Sequence, residues 1–203
     1  MYRIRFEGVE NIPPDGACII VPNHVTFVDP IWITVPFRRP LCYMAWDKPF
    51  EIPVLGFLMR IFGAFPLNLD RAVDASAQRA AMDRLDRGSA LVIFPEGGRS
   101  RSGKVEPFKM GAFRLALMYG APILPVTLRG AYEVWPAGQL LPKLWGRITI
   151  TYHAPISVER IAEETSRSEL KGRARLLAGV TRNQIASALG ESGLADDVVE
   201  AGQ

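Results

Sequence analysis

Ala90-Leu91-Val92-Ile93-Phe94-Pro95-Glu96-Gly97-Gly98-Arg99-Ser100-Arg101 is the stretch that decides the fold. Its first five residues are apolar without alternation, so both faces of the strand they form must be covered, as in a parallel sheet between helix layers. Helical patterns flank it. Upstream, Asp74 to Arg87 places Ala77, Ala81 and Leu85 on one face, with Asp74 as cap and Gly88 as stop. Downstream, Phe108 to Tyr119 carries Phe108, Ala112, Leu115, Ala116 and Tyr119 on one stripe and ends at Gly120.

Further out, Ala17–Val21, Leu41–Ala45, Ile123–Leu128 and Arg147–Tyr152 read as strands, and Asp29-Pro30 as a helix cap and first-turn proline before Ile31 to Val35. Strand alternating with helix predicts an α/β layered domain: a central, mostly parallel β-sheet flanked by helices, with a helical C-terminus. Residues 1–157 are expected to form the core and 158–189 a C-terminal helical segment of the same domain. Residues 190–203 are expected to be a disordered tail.

The 203 residues suffice for one domain, and 48% hydrophobic content supports a sizeable core. A net charge of +3 is too mild to indicate nucleic acid, but it suits an anionic substrate or membrane surface. Cys18 and Cys42 sit in apolar surroundings and read as core residues of a reducing compartment, with no metal site. Met1 to Glu7 lacks an apolar signal region, and no apolar run approaches the roughly 18 residues a spanning helix needs.

Two motifs carry chemistry. In Asn23-His24-Val25-Thr26-Phe27-Val28-Asp29-Pro30, a histidine at a strand end has an acid five residues on. Histidine exchanges protons near neutral pH, and a carboxylate on its other ring nitrogen fixes the tautomer and stabilises the imidazolium. Alone, that spacing more often marks a satisfied histidine and an N-cap aspartate. With no serine or cysteine nearby, although Thr26 is close, the nucleophile is expected to be a substrate hydroxyl. The second motif follows Phe94. Its glycines allow close backbone approach to a ligand, while Arg99, Arg101, Lys104 and Lys109 offer cationic donors suited to phosphate. Glu96 among them is expected to pair with an arginine or a substrate hydroxyl. The run Gly98 to Lys104 matches a nucleotide P-loop in spacing, but Val105 stands where the metal-binding hydroxyl belongs and Pro107 interrupts the helix.

These residues together resemble the glycerolipid acyltransferase family, typified by 1-acylglycerol-3-phosphate acyltransferases. The first block is met by Asn23, His24 and Asp29, and the third by Phe94, Pro95, Glu96, Gly97 and Arg99. Ala121 to Val126 matches the fourth, and Gly63 to Arg71 approximates the second at a somewhat longer interval. Gly98 replaces a common threonine, and the family's N-terminal membrane segment is not found here.

The resemblance implies that His24 and Asp29 are the catalytic pair, moving a fatty acyl group from acyl-CoA or acyl-carrier protein to a lysophospholipid hydroxyl. Lysophosphatidate is the leading acceptor, with other lysolipids open. Arg71, Arg99 and Arg101 would bind the acceptor phosphate, and Glu96 with Gly97 would shape its pocket. No metal or organic cofactor is implied, and the chain is expected to sit peripherally on the cytoplasmic side of a membrane. Phe50–Phe62 and the loop framed by Trp135 and Trp145 are the candidate contacts. A hydrolase, or a lipid-binding module of the same fold, is the alternative.

Overall fold

Residues 2–68, 75–162 and 164–191 are described by a computed structural model of the chain. Seven strands form one sheet: β1 (Tyr2–Glu7), β2 (Cys18–Pro22), β3 (Leu41–Trp46), β4 (Ala64–Leu67), β5 (Ala90–Ile93), β6 (Ile123–Arg129) and β7 (Gly146–Tyr152). Their order is β1-β7-β6-β2-β5-β3-β4. The five strands β6-β2-β5-β3-β4 are parallel, and the pair β1–β7 joins them antiparallel through β6. The expected mostly parallel α/β sheet is therefore the architecture observed.

The central strands β2 and β5 are buried along their whole length, and alternate residues feed two cores. On one face Ile19, Val21, Leu91 and Ile93 pack against α3 (Ala75–Asp86), α4 (Gly111–Tyr119) and α6 (Arg167–Leu189) through Leu85, Phe113, Ala178 and Ile185. On the other, Cys18, Ile20, Ala90 and Val92 meet Ile33 of α1 (Asp29–Thr34) and Ala131 and Val134 of α5 (Ala131–Val134). The remaining helix, α2 (Pro53–Ile61), packs on the short 3-10 turn Lys48–Glu51 and on β4. Gly56 permits that approach, because a Cβ there would lie 2.4 Å from the Phe50 carbonyl oxygen.

Several boundaries differ from expectation for identifiable reasons. The edge strands β1 and β4 add to the strands expected: β1 leaves Arg3, Ile4 and Arg5 exposed and so shows no apolar run, and β4 contains Pro66, a residue that sheets tolerate at an edge. The helix expected from Phe108 begins at Gly111, because the Lys109 N–H is bonded to the Pro95 carbonyl at 2.8 Å rather than to a helical carbonyl. Helix α6 begins at Arg167, where Ser166 accepts the Glu169 N–H as an N-cap, so residues 158–162 and 164–166 are not helical. Gly190 closes α6 in the left-handed conformation. Asp74, expected to cap α3, and residues 192–203 of the tail lie outside the described residues.

Candidate active site

The two motifs follow adjacent parallel strands. Ile20 of β2 stands opposite Val92 of β5, and continuing that register brings His24 level with Glu96. Both therefore emerge at the carboxyl edge of the sheet, where open α/β folds place their ligands.

Between β2 and α1 the chain folds back so that Asp29 faces His24. The imidazole Nδ1 lies 2.9 Å from Asp29 Oδ2. That carboxylate oxygen also accepts the Val25 and Thr26 N–H groups at 2.7 and 2.8 Å, and the Thr26 hydroxyl donates to Oδ1 at 2.5 Å. Asp29 is fully buried. Its expected role as N-cap is corrected: Val28 holds the cap position, and the Asp29 carboxylate instead bonds back to His24, Val25 and Thr26. Thr26, close enough to suggest a nucleophile, has its hydroxyl committed to Asp29.

His24 keeps 18% of its side chain exposed, and among the described residues nothing bonds its Nε2. Its ring lies on Phe94, with centroids 4.0 Å apart. Its main chain is held from both sides by the second motif: Glu96 Oε1 accepts the His24 N–H at 2.9 Å, and the His24 carbonyl accepts the Ser100 N–H at 2.7 Å. Glu96 Oε2 takes the Glu106 N–H at 3.4 Å. The expected arginine partner is thus replaced by two backbone donors. Burial pushes the Glu96 carboxyl up to about 8, which those two hydrogen bonds only partly oppose.

The cationic residues divide. Arg99 lies with its guanidinium 3.4 Å from the centroid of Phe27, which in turn meets Trp135 edge-on at 6.1 Å. Among the described residues its buried Nη1 has no hydrogen-bond partner. Burial lowers its pKa, while the negative charge of Asp29 raises it. An arginine so placed has an open donor for an anion beside the dyad. Arg101 is exposed, and its carbonyl accepts the Tyr132 hydroxyl at 2.7 Å. Arg71 lies outside the described residues. Gly97 has φ 72°, a conformation that favours glycine, and a Cβ there would come within 2.7 Å of Lys109 Cε and Nζ and push the end of that lysine aside. Phe27 and Lys109 thus join the site. For Phe27 the sequence held only one clue, an aromatic inside the His-x4-Asp interval.

Asn23 is structural. Its side-chain amide accepts the Leu128 N–H at 2.8 Å and donates to the Leu128 carbonyl at 3.2 Å, fastening the loop to β6. The other histidine, His153, meets the Thr127 hydroxyl at 2.8 Å, away from the dyad, and burial lowers its pKa. Among the described residues no group of three or more His, Cys, Asp or Glu is placed to hold a metal ion.

Comparisons with known proteins identify the family. The chloroplastic 1-acyl-sn-glycerol-3-phosphate acyltransferase BAT2 of Brassica napus is 30% identical over 93% of this chain and 51% of its own length. A 1-acyl-sn-glycerol-3-phosphate acyltransferase of Borreliella burgdorferi is 34% identical over 62% of this chain and 51% of its own. The chain thus spans about half the length of these curated relatives. The crystal structure of the 1-acyl-sn-glycerophosphate acyltransferase PlsC from Thermotoga maritima superimposes with a TM-score of 0.73 at 29% identity, covering 93% of this chain and 71% of that one. The family model described as Acyltransferase matches residues 3–129, which contain both motifs, and the chain belongs to that acyltransferase family.

Proposed function

We propose that the chain transfers a fatty acyl group to the free hydroxyl of lysophosphatidate, forming phosphatidate, with acyl-CoA or acyl-carrier protein as donor. The observation that carries this reading is the imidazole oriented through Nδ1 by a buried Asp29 while Nε2 stays free. In the proposed reaction Nε2 takes the proton of the acceptor hydroxyl as its oxygen bonds to the thioester carbonyl carbon. The resulting oxyanion collapses, the carbon–sulfur bond breaks, and the imidazolium returns its proton to the departing thiolate. Asp29 stabilises the imidazolium between these steps. The reaction so written uses no metal or organic cofactor. The acceptor phosphate would be bound by the open Nη1 of Arg99, with Arg71 and Arg101 as further proposed donors.

Peripheral attachment to the cytoplasmic side of a membrane is part of the proposal. No helix of the described residues is long and apolar enough to cross a bilayer. Helix α2 leaves Val54, Phe57 and Ile61, spaced as one stripe, each more than 60% exposed. In the loop after α5, Leu140, Leu141, Leu144 and Trp145 are each at least 70% exposed, whereas Trp135 turns inward toward Phe27. Large contiguous apolar exposure of this kind suits an interface with lipid. The test is mass spectrometry of products from a panel of lysolipids with both donors. Phosphatidate from lysophosphatidate supports the proposal; release of free fatty acid alone would make the chain a hydrolase, and no turnover with any acceptor would leave the lipid-binding reading.

A further inference from the structure

We infer that Arg182, on the C-terminal helix, is a positioning residue for the catalytic histidine, an assignment that rests on the proposed acyl transfer. Arg182 lies outside the family-matched residues 3–129 and is only 4% exposed. A buried guanidinium is costly unless its donors are used. Among the described residues Arg182 has no carboxylate partner and its Nε has none at all; the bond it makes is from Nη2 to the Val105 carbonyl, at 3.3 Å.

The Val105 peptide is gripped from its other side as well. Glu191, one residue beyond the closing glycine of α6, accepts the Val105 N–H at 3.2 Å. Two residues of the C-terminal helix end thus clamp one residue of the loop that follows the second motif. The next N–H in that loop, that of Glu106, meets Glu96 Oε2, and Glu96 Oε1 holds the His24 N–H. The connected path runs from Arg182 through Val105, Glu106 and Glu96 to the backbone of His24. Serine hydroxyls stiffen the loop: Ser102 donates to Glu106 Oε1 at 3.0 Å, and Ser100 Oγ accepts the Gly103 N–H at 3.0 Å. Displacing Val105 moves the Glu106 donor, lets the Glu96 carboxyl turn, and tilts Nε2 away from the acceptor hydroxyl. Misplacement of this size is worth about 10- to 100-fold in rate, while the acceptor's phosphate contacts are untouched.

The experiment compares Arg182→Met, which keeps much of the buried volume without the donor, with Arg182→Lys, which keeps a cationic donor. The expected result is a kcat lowered about tenfold or more in Arg182→Met, KM for lysophosphatidate within about twofold, and substantial recovery in Arg182→Lys. Combined with Glu96→Gln, Arg182→Met should add little, because both act through the same path. Amide exchange provides a readout independent of turnover: the His24 and Glu106 N–H groups should lose protection in Arg182→Met while β6 keeps its own. Unchanged exchange at His24 overturns the inference even if acyl transfer proves correct; changed exchange in a chain without transferase activity overturns the proposed function instead. Should Arg182→Met fail to fold, Glu191→Ala just past the helix end must give the same kcat and exchange pattern, and wild-type behaviour there overturns the clamp.

Discussion

Glu96 accepts the main-chain N–H of His24 at 2.9 Å, so the carboxyl of the second motif holds the backbone of the first. That bond joins the ends of β2 and β5 where their register runs out. It also explains why a family block contains an acid that faces no arginine among the described residues. The work of holding His24 is thereby split: Asp29 sets its ring, and Glu96 sets its main chain.

His24→Ala is expected to abolish acyl transfer with the fold intact, since general-base assistance alone is worth about 10²–10⁴-fold. Labelled acyl-CoA with lysophosphatidate reports the rate, and circular dichroism the fold. Asp29→Asn should also lower kcat, because an amide lacks the charge that stabilises the imidazolium; its oxygen can still accept the Val25 and Thr26 N–H groups, so the melting temperature should change less. Wild-type turnover in folded His24→Ala would remove the dyad from the mechanism.

Arg99→Ala should raise KM for the phosphorylated acceptor while altering kcat far less. Phe27→Ala should do the same more weakly, because the ring is the shelf on which the guanidinium rests at 3.4 Å. Saturation kinetics on both variants decide. An unchanged KM in Arg99→Ala would take that residue out of the phosphate site.

Glu96 makes stability depend on pH. Its carboxyl ordinarily titrates near 4.5, and in the folded chain it is pushed up to about 8 by burial. The folded state therefore holds the proton more tightly than the unfolded one. The stabilisation it contributes is complete below about pH 4.5 and is lost as pH rises through 8. Urea unfolding across that range should show wild type losing stability relative to Glu96→Gln, which cannot titrate. Parallel curves would mean that Glu96 stays ionised.

Replacing Leu140 and Leu141 with aspartate should reduce flotation with anionic liposomes while leaving turnover of a short-chain, soluble lysophosphatidate intact. The loop's base is fixed by the Trp135 Nε1 bond to the Gln139 carbonyl and by the Lys143 N–H bond to the Val134 carbonyl. The exposed tip can then change without loosening the site. Undiminished flotation would move the contact to α2.

Much of this was legible in the residues themselves. A strand apolar on both faces, such as Ala90–Ile93, can lie only inside a covered sheet, and His24 with Asp29 took on a chemical reading only beside the arginine-bearing turn after Phe94. What stayed hidden depended on contacts between segments distant in sequence. The bonds of Glu96 to the N–H groups of His24 and Glu106 were hidden, because such backbone donors belong to every residue type and leave no mark in a sequence. Edge strand β4 carried a proline that argues against a strand unless its position at the edge is known. Arg182 looked like one more charge on a polar helix, and only packing reveals that it is buried.

Asn23 offers the sharpest separation of structure from chemistry within the first block. Its amide matches the Leu128 peptide donor to acceptor and acceptor to donor, across 105 residues of sequence. Asn23→Ala leaves both groups of that buried peptide unsatisfied, at a cost on the order of 3 kcal/mol. For a domain of this size that lowers the melting temperature by about 6–12 °C. Asn23→Asp is the harsher test, although it is smaller in volume change. The carboxylate still accepts the Leu128 N–H, but its second oxygen then opposes the Leu128 carbonyl, so a repulsion replaces a bond in a site that is 2% exposed. Aspartate should therefore melt below wild type and no higher than alanine when measured at neutral pH, and acidification should narrow the gap by restoring a proton donor. If both variants melted with wild type, the loop bearing His24 would have to be anchored by Glu96 and Ser100 alone.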